Sequence, residues 1–311
     1  MMSDYLLKNG KVLLFQSNED KIDVTIKEKE ILVQQGKIAR IETKIKENQY
    51  PNAEIIDATN CVIMPGLINT HAHIPMSLFR ESTEGCKLYD WLENKIWPQE
   101  DKLTEEDAYY ASMLSFIEMI STGTTCINDQ YFLQDAIRKA AQDMGVRAVL
   151  TRTVIGEKEE AEKRIAEFKQ FYKTRDKQND LITYTVAPHS LYTCSPEALQ
   201  MTADLAKELS LPIHVHFLES VDEIEDIKQK QGEKASKVLK KYFDGIHTIL
   251  AHAVHLDDED IAILKTMDCG IAHNPVSNLR LGCTIADTTK YLQNNLNVAL
   301  RNRWTRLTVV T

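Results

Sequence analysis

The sequence lacks the features that mark several classes of protein. No apolar run approaches the roughly 20 residues that a helix needs to span a bilayer. Asp4, Lys8 and Lys11 interrupt the N-terminus, where a signal peptide has a continuous apolar core. Basic residues are in the minority, with 37 Lys and Arg against 46 Asp and Glu. The formal net charge of -9 argues against nucleic acid or an anionic membrane as a partner, because both bind basic surfaces.

Cysteine is sparse and shows no paired spacing. The six cysteines are Cys61, Cys86, Cys126, Cys194, Cys269 and Cys283. None belongs to a Cys-x-x-Cys motif, and a chain of 311 residues can bury a core large enough to do without a disulfide framework. The sequence therefore predicts reduced, mostly buried thiols in a cytoplasmic protein.

Short strands separated by turns dominate residues 4–60. The candidate strands are Leu6–Leu7, Val12–Phe15, Asp23–Ile26, Ile31–Val33 and Lys37–Ile41. The dipeptides Asn9-Gly10 and Gln35-Gly36 are typical of hairpin turns. We expect a small antiparallel β module over residues 1–60, too short to be a stable sandwich alone.

After residue 60 the pattern changes to short apolar strands alternating with amphipathic helices. The first strand is the apolar run Cys61–Met64, which leads through the turn-prone Pro65-Gly66 to His71. The other predicted strands are Thr124–Asn128, Arg147–Thr153, Leu181–Ala187, Leu211–Phe217, Thr248–Ala251, Cys269–Ala272 and Asn297–Leu300. The predicted helices are Asp107–Ser121, Leu133–Met144, Glu157–Thr174, Pro196–Leu209, Lys234–Phe243 and Asp257–Met267.

Eight strands in βα order predict an α/β fold with a parallel sheet, and eight is the number that closes a (β/α)8 TIM-type barrel. We assign residues 61–300 to this barrel, with the last helix missing. The alternative, an open doubly wound sheet, calls for a Gly-rich phosphate turn after its first strand, and the sequence has none. The stretch Asp222–Lys241 is dense in charges of both signs, which predicts a solvated helix face.

Histidines collect at the ends of these strands. In an extended segment His71 and His73 point to the same side, within reach of one ion, although such a pair can also simply hydrogen-bond in a polar loop. Eight of the nine histidines, all but His247, fall at or near the C-terminal end of a predicted strand. Barrel enzymes keep their active sites at that rim, so the clustering favours a site for zinc or another borderline divalent metal.

Five motifs carry a resemblance to a known family. They are Asn-Thr-His-Ala-His (69–73), Ala-Pro-His-Ser (187–190), His-Val-His-Phe-Leu-Glu (214–219), Leu-Ala-His-Ala-Val-His-Leu (250–256) and Ala-His-Asn-Pro-Val-Ser-Asn-Leu-Arg-Leu-Gly (272–282). Together they resemble the amidohydrolase superfamily, and more narrowly its 5-methylthioadenosine/S-adenosylhomocysteine deaminases with the related aminohydrolases and chlorohydrolases. The resemblance extends to about Leu300. It implies a (β/α)8 barrel, a β-sandwich built from both termini and one catalytic divalent metal, most often zinc, with Fe2+ as the second choice.

The resemblance also implies roles for individual residues. His71, His73 and His216 would be the metal ligands. Glu219 would carry a proton from the activated water to the ring nitrogen of the substrate, and His252 would orient that water. This chemistry is physically reasonable, because zinc lowers the pKa of a bound water to about 7 and a nearby carboxylate can relay its proton.

Four further residues are candidates for contacting an aminopurine nucleoside. They are His189, Trp91, Arg152 and Asp90. Trp91 could equally be a core aromatic, and Arg152 could simply pair with a nearby carboxylate. Asp90 is the nearest acidic residue for the ribose hydroxyls, which nucleoside-handling relatives bind through this loop.

The activity implied by the resemblance is hydrolytic deamination of a nucleoside such as 5-methylthioadenosine or S-adenosylhomocysteine, with release of ammonia. Guanine-type deamination and triazine dechlorination are alternatives on the same fold, since both replace a substituent on an electron-poor ring carbon by hydroxide. An alternative of another class is an inactive remnant that binds metal without turnover. Apart from a small-molecule substrate, the sequence predicts no nucleic-acid or membrane partner, and self-association into a homo-oligomer stays open.

The C-terminal stretch departs from the family pattern. Family members follow strand eight with Gly-Thr-Asp-Gly, whose aspartate completes the metal shell, and then add a last helix and a further segment. Here Asn297–Leu300 is followed by an atypical tail, residues 301–311, and no aspartate occurs after Asp287. A shifted reading frame at residues 301–304 is one explanation. We expect a chain truncated in this way to be poorly soluble and to have little or no activity.

Overall fold

The structure, a computed structural model, describes residues 3–18, 21–80 and 85–300. The chain divides into two compact units, Met1–Gly66 and Leu67–Thr311. Each unit has its own sheets and its own hydrophobic core.

The N-terminal unit contains short strands in two sheets. Its strands are β1 (Tyr5–Lys8), β2 (Lys11–Asn18), β3 (Lys21–Glu28), β4 (Glu30–Gln34), β5 (Lys37–Glu42), β6 (Glu54–Asp57) and β7 (Val62–Ile63). One sheet has the order β5-β4-β1-β6 and the other has the order β3-β2-β7. Leu6, Leu32 and Ile45 form a small buried core in this unit.

Two expectations for this unit are wrong. Asn9-Gly10 does not close a hairpin, because β1 pairs with β4 and β6 whereas β2 pairs with β3 and β7. The run Cys61–Met64 is not a buried strand leading into the barrel, since β7 pairs in parallel with β2 and Met64 is exposed. Gln35-Gly36 does close the β4–β5 hairpin, with φ angles of 51° and 74° that suit a tight turn.

The C-terminal unit alternates strands with helices. Its strands are β8 (Leu67–Ala72), β9 (Thr124–Asp129), β10 (Arg147–Leu150), β11 (Thr153–Val154), β12 (Ile182–Tyr184), β13 (Ala187–Pro188), β14 (Ile213–Phe217), β15 (Thr248–His252), β16 (Cys269–His273) and β17 (Asn297–Leu300). Its helices are α1 (Leu88–Trp91), α2 (Trp97–Glu100), α3 (Glu105–Ser121), α4 (Gln134–Met144), α5 (Lys158–Lys173), α6 (Pro196–Leu209), α7 (Val221–Gln231), α8 (Ala235–Phe243), α9 (Asp258–Leu264), α10 (Pro275–Arg280) and α11 (Thr288–Gln293). A π-helical turn, Leu92–Ile96, joins α1 to α2.

The paired strands of this unit are parallel, and their order follows the chain. One ladder is β8-β9-β10-β12 and the other is β14-β15-β16-β17. Between them β11 pairs with β13, and a bridge from Val186 to Ile213 continues the order. At the far end, Thr70 of β8 donates its hydroxyl to the carbonyl of Leu300 in β17 at 2.9 Å. The alternating pattern of the sequence thus correctly predicts a mixed α/β fold built on parallel strands.

Local sequence decides where the long helices begin and end. Thr104 caps α3 by accepting the backbone N–H of Asp107 at 3.1 Å, while the Asp107 carboxylate accepts the N–H of Thr104 at 3.0 Å. Ser195 caps α6, which has Pro196 in its first turn. Gly145 ends α4 with a φ of 65°, a left-handed conformation that glycine adopts without strain.

Burial differs from expectation at two places. The charge-dense stretch Asp222–Lys241 is not uniformly solvated, because Glu223 is only 1% exposed and Ile227 is fully buried. All six cysteines are free, but only Cys194 and Cys283 are buried.

The predicted tail at residues 301–311, and with it the reading-frame hypothesis, lies outside the described residues. Over the described part of the chain, the structure contains no helix with both the length and the apolar character required to cross a membrane.

Candidate active site

Parallel strands bring histidines from distant parts of the sequence to one end of the C-terminal unit. His71 lies in β8, His216 in β14 and His252 in β15, and all three are buried. The ring centroid of His71 lies 4.7 Å from those of His73 and His216 and 5.3 Å from that of His252. His214 lies two residues before His216 in β14, and its Nε2 is 2.8 Å from Nδ1 of His71.

Backbone carbonyls fix the tautomers of two of these rings. Nδ1 of His73 lies 2.6 Å from the carbonyl oxygen of Gln130, and Nδ1 of His216 lies 2.8 Å from that of His189. A carbonyl only accepts, so each Nδ1 carries the hydrogen, and each neutral ring directs the lone pair of Nε2 elsewhere. These two Nε2 atoms lie 3.2 Å apart.

Two lone pairs at this distance repel each other unless a cation lies between or beside them. A proton is a poor candidate, because burial, together with neighbouring imidazoles, holds the pKa of His216 well below its usual range. A divalent metal satisfies both nitrogens at once. The ring nitrogens of His71, His216 and His252 also lie within 4.8 Å of one another. The residues present therefore fit a borderline divalent ion such as zinc, which favours imidazole ligands.

A carboxylate lies next to this cluster. Oε1 of Glu219 is 3.0 Å from Nδ1 of His252, and the same nitrogen lies 2.7 Å from Oδ1 of Asn278. The backbone around the pair is strained, with φ angles of 47° at Leu218, 75° at His252 and 46° at Ala253. Left-handed backbone at residues other than glycine is costly and persists where surrounding contacts hold it, a pattern that often marks functional sites.

Several of these side chains line a cavity of about 890 Å3, which is within the range of small-molecule sites. His73, His216, Glu219 and His252 contribute polar groups to its wall. Apolar side chains form another part of the wall, namely Leu88, Trp91, Leu92, Ile96, Trp97 and Leu281. Such a cavity can hold a planar ring with polar edges.

The four predicted substrate contacts fall into two groups. His189 and Trp91 line the cavity, and burial lowers the pKa of His189 to about 4, so that its ring is neutral. Arg152 and Asp90 do not line it. Arg152 pairs with Glu167 at 2.7 Å, the alternative that the sequence left open. Asp90 is exposed and accepts a hydrogen bond from Asn94 at 2.8 Å.

Glu100, Arg164 and Glu223 are among the lining residues that the sequence analysis did not single out. Glu100 ends α2 in the cavity wall, and burial raises the pKa of its carboxyl to about 7. Arg164 lines the cavity from α5 and pairs with Glu160 at 2.7 Å. Glu223 also lines it. None directly follows a strand end, so no local pattern marks them.

The chain resembles a set of known hydrolases. The model of the Amidohydrolase family matches residues 62–301. A 5'-deoxyadenosine deaminase of Methanococcus maripaludis is 41% identical over 280 residues, which are 88% of this chain and 66% of that protein. A 5-methylthioadenosine/S-adenosylhomocysteine deaminase of Carboxydothermus hydrogenoformans is 41% identical over 299 residues, which are 95% of this chain and 67% of that protein.

Solved structures extend the likeness. A guanine deaminase from C. acetobutylicum with bound guanine superposes with a TM-score of 0.84 at 25% identity, over 96% of this chain and 74% of that one. A triazine hydrolase from Arthrobacter aurescens gives a TM-score of 0.85 at 20% identity, over 96% and 71%, which speaks for the fold alone. The chain spans 66% of the length of the first of these curated relatives.

Proposed function

This chain belongs to the amidohydrolase family, and from that premise we propose that it is a metal-dependent hydrolytic deaminase of an adenosine-type nucleoside. Its candidate substrates are 5'-deoxyadenosine, 5-methylthioadenosine and S-adenosylhomocysteine. One observation carries the proposal. The Nε2 atoms of His73 and His216 meet at 3.2 Å in a cavity that also holds the Glu219–His252 pair.

His71, His73 and His216 are the proposed metal ligands, with zinc as the proposed ion. When bound there, such an ion would lower the pKa of a coordinated water to about 7 and so make it a nucleophile at neutral pH. His73 and His216 present their Nε2 lone pairs because the carbonyls of Gln130 and His189 hold the hydrogens on Nδ1.

Glu219 is the proposed proton shuttle and His252 its partner. The Glu219 carboxylate takes a proton from the attacking water and delivers it to a ring nitrogen beside the reacting carbon. Water forms a C–O bond to that carbon, and the proton of the new hydroxyl then passes through Glu219 to the exocyclic amine. The C–N bond breaks, ammonia leaves, and the hydroxyl oxygen becomes a carbonyl oxygen. His252, whose Nδ1 lies 3.0 Å from Oε1 of Glu219, is proposed to orient the attacking water.

The cavity walls account for the proposed substrate class. Trp91 offers an aromatic face to the purine ring, and the neutral His189 offers a hydrogen-bonding edge. Glu100 replaces Asp90 as the proposed acceptor for two vicinal ribose hydroxyls, because Glu100 lines the cavity and Asp90 does not. Arg164 adds a cation to the same wall, which suits the carboxylate of an extended tail.

An assay for ammonia release tests the proposed function. The zinc-loaded chain is given 5'-deoxyadenosine, 5-methylthioadenosine, S-adenosylhomocysteine, guanine and a chlorotriazine. It is assayed alone and fused to the C-terminal third of the Carboxydothermus relative, because the match spans 67% of the length of that relative. Deamination of at least one of the adenosine-type compounds is the expected result. Turnover of guanine or triazine only would reassign the substrate, and bound zinc without turnover in either form would favour the inactive remnant.

Substituting Glu100 with glutamine tests the ribose contact. We expect KM for an adenosine-type nucleoside to rise by about 10- to 100-fold with kcat less affected, because a charged acceptor for two hydroxyls is lost. The 2'-deoxy analogue should show a smaller rise. Glu93→Gln, an exposed residue of the neighbouring π-helical turn, is the matched control. Equal KM values for Glu100→Gln and the control would remove Glu100 from the site.

The same variant carries a stability signature. Because the folded pKa of Glu100 is raised from 4.5 to about 7, its ionisation costs stability, and that cost grows as the pH rises through this window. Glu100→Gln should therefore unfold at a higher temperature than the parent at pH 8, and the difference should shrink towards pH 5. Thermal unfolding followed by circular dichroism at both pH values measures it.

The finer assignments are proposals of the same kind. They comprise a (β/α)8 TIM-type barrel over residues 61–300, the N-terminal sheets as half of a composite sandwich, and a cytoplasmic location. Oligomeric state stays open, and size-exclusion chromatography with light scattering decides it.

A further inference from the structure

Glu223 is a buried carboxylate to which the proposed reaction gives no task. It lies in the first turn of α7, is 1% exposed and lines the cavity. Burying an ionisable group is costly unless its oxygens are satisfied by hydrogen bonds. The use of those oxygens therefore indicates what the residue does.

Both oxygens of Glu223 accept backbone N–H groups from one turn. Oε1 accepts the N–H of Leu218 at 2.9 Å and Oε2 accepts the N–H of Glu219 at 2.7 Å. The N–H of Glu223 itself donates to Oγ of Ser220, the cap of α7, at 3.3 Å. The side chain thus folds back over the five residues that precede it and fixes the turn after β14.

The carbonyl side of the same turn is held by the segment after β15. The carbonyl of Leu218 accepts the N–H groups of Val254 at 2.9 Å and His255 at 3.2 Å, and the carbonyl of Phe217 accepts the N–H of Ala253 at 2.8 Å. The peptide that leads into Glu219 is therefore fixed from both edges.

This turn needs such support. Leu218 has a φ of 47°, in the left-handed region, which is strained for a residue with a β-carbon. A relaxed Leu218 would rotate the following peptide and swing the side chain of Glu219 away from His252, with which it makes its 3.0 Å contact.

We propose that Glu223 is a positioning residue, which aims the Glu219 side chain by holding the N–H groups of Leu218 and Glu219. This inference rests on the proposed function in one respect, the role of Glu219 as the proton shuttle. The effect of Glu223 on the N–H groups of Leu218 and Glu219 can be measured without enzymatic turnover. Glutamine cannot reproduce the hold, because its amide offers one accepting oxygen and one NH2 group that would face a second N–H donor.

The test compares Glu223→Gln with the parent and with Glu225→Gln, a matched control on the exposed side of the same helix. In Glu223→Gln, hydrogen–deuterium exchange at the amides of residues 218 and 219 should become at least about tenfold faster. The rate constant kcat should fall by about 10- to 100-fold, as expected for a misplaced catalytic group, with KM within about twofold of the parent. Zinc affinity should not change, because the two side-chain oxygens of Glu223 accept the backbone N–H groups of Leu218 and Glu219, which are not proposed ligands.

A purely structural role predicts something else, namely a lower melting temperature with unchanged kcat per folded molecule. That result, or unchanged protection of the two amides in folded Glu223→Gln, would overturn the proposal. If Glu223→Gln does not fold, Glu223→Asp decides, since it keeps the charge but is one methylene too short to reach both amides. Parent-like exchange and kcat in Glu223→Asp would overturn the proposal, and loss of both would support it.

Failure of the proposed function is distinguishable from failure of this inference. A parent chain that releases no ammonia contradicts the proposed function, while faster exchange at residues 218 and 219 in Glu223→Gln still supports the hold on the turn, and unchanged exchange still overturns it.

Discussion

Substituting Glu219 with glutamine is expected to lower kcat for nucleoside deamination by about 10²- to 10⁴-fold, the usual contribution of a general acid–base group. Glutamine keeps the size of the side chain but can neither take a proton from water nor deliver one to the ring. Because Glu219 contacts His252 and is not a proposed ligand, zinc content should stay at the level of the parent. Steady-state kinetics and metal analysis on the same preparation measure both quantities.

A suitable control for Glu219→Gln is Glu225→Gln, which removes an exposed carboxylate that accepts a hydrogen bond from Gln229 at 3.1 Å. It should leave kcat within about twofold of the parent, in line with a surface substitution. If Glu219→Gln also retained parental kcat, Glu219 would not be the shuttle, and the search for the base would turn to the other carboxylates of the cavity.

Substituting His216 with asparagine is expected to abolish stable metal binding together with activity. Removal of residues that merely support a ligand costs about 10- to 100-fold in metal affinity, so loss of a ligand should cost more than about 100-fold. The parent should also unfold at a higher temperature with zinc than with a chelator, because the ion binds the folded chain only, and the variant should lose most of this difference.

His247→Asn is the matched control for His216→Asn. His247 is an exposed histidine away from the predicted rim and pairs with Asp268 at 2.9 Å. Equal zinc affinity and an equal zinc-dependent rise in melting temperature in both variants would refute the histidine cluster as the metal site. Isothermal titration with zinc and differential scanning calorimetry provide the two measurements.

The sequence indicates the histidine cluster because two periodicities coincide. Alternation along a strand puts His71 and His73 on one side, and alternation between strands and helices brings the ends of β8, β14 and β15 together. Each signal is local, so it can be read without knowing the fold in detail. The geometry that makes His73 and His216 converge, by contrast, depends on the carbonyls of Gln130 and His189, and no sequence pattern predicts these hydrogen bonds.

The residues that sequence reasoning missed share a physical reason. Glu100 reaches the cavity from a short helix after an irregular segment, and Glu223 belongs to a stretch whose mixed charges are typical of a solvated face. In both cases the direction of one side chain decides the outcome, and that direction is set by tertiary packing. Arg152 shows the converse. The sequence made it a candidate for substrate contact, but it pairs with Glu167 on α5 and does not line the cavity.

The same holds for the turns of the N-terminal unit. Asn9-Gly10 has the composition of a hairpin turn, yet β1 and β2 enter different sheets. Turn chemistry permits a reversal but does not select the strand with which the chain then pairs. That choice is made by partners such as β4 and β6, which lie further along the chain.

Two ring contacts to β14 join positions 143 residues apart, one from His71 in β8 to His214 and one from His73, just after β8, to His216. An ion held there would link two segments separated by nearly half of the chain. It would be released only when β8 and β14 separate, so its main effect would be on the rate at which these strands separate during unfolding. After release, the two segments would re-form the metal site slowly, since closing a large loop is slow.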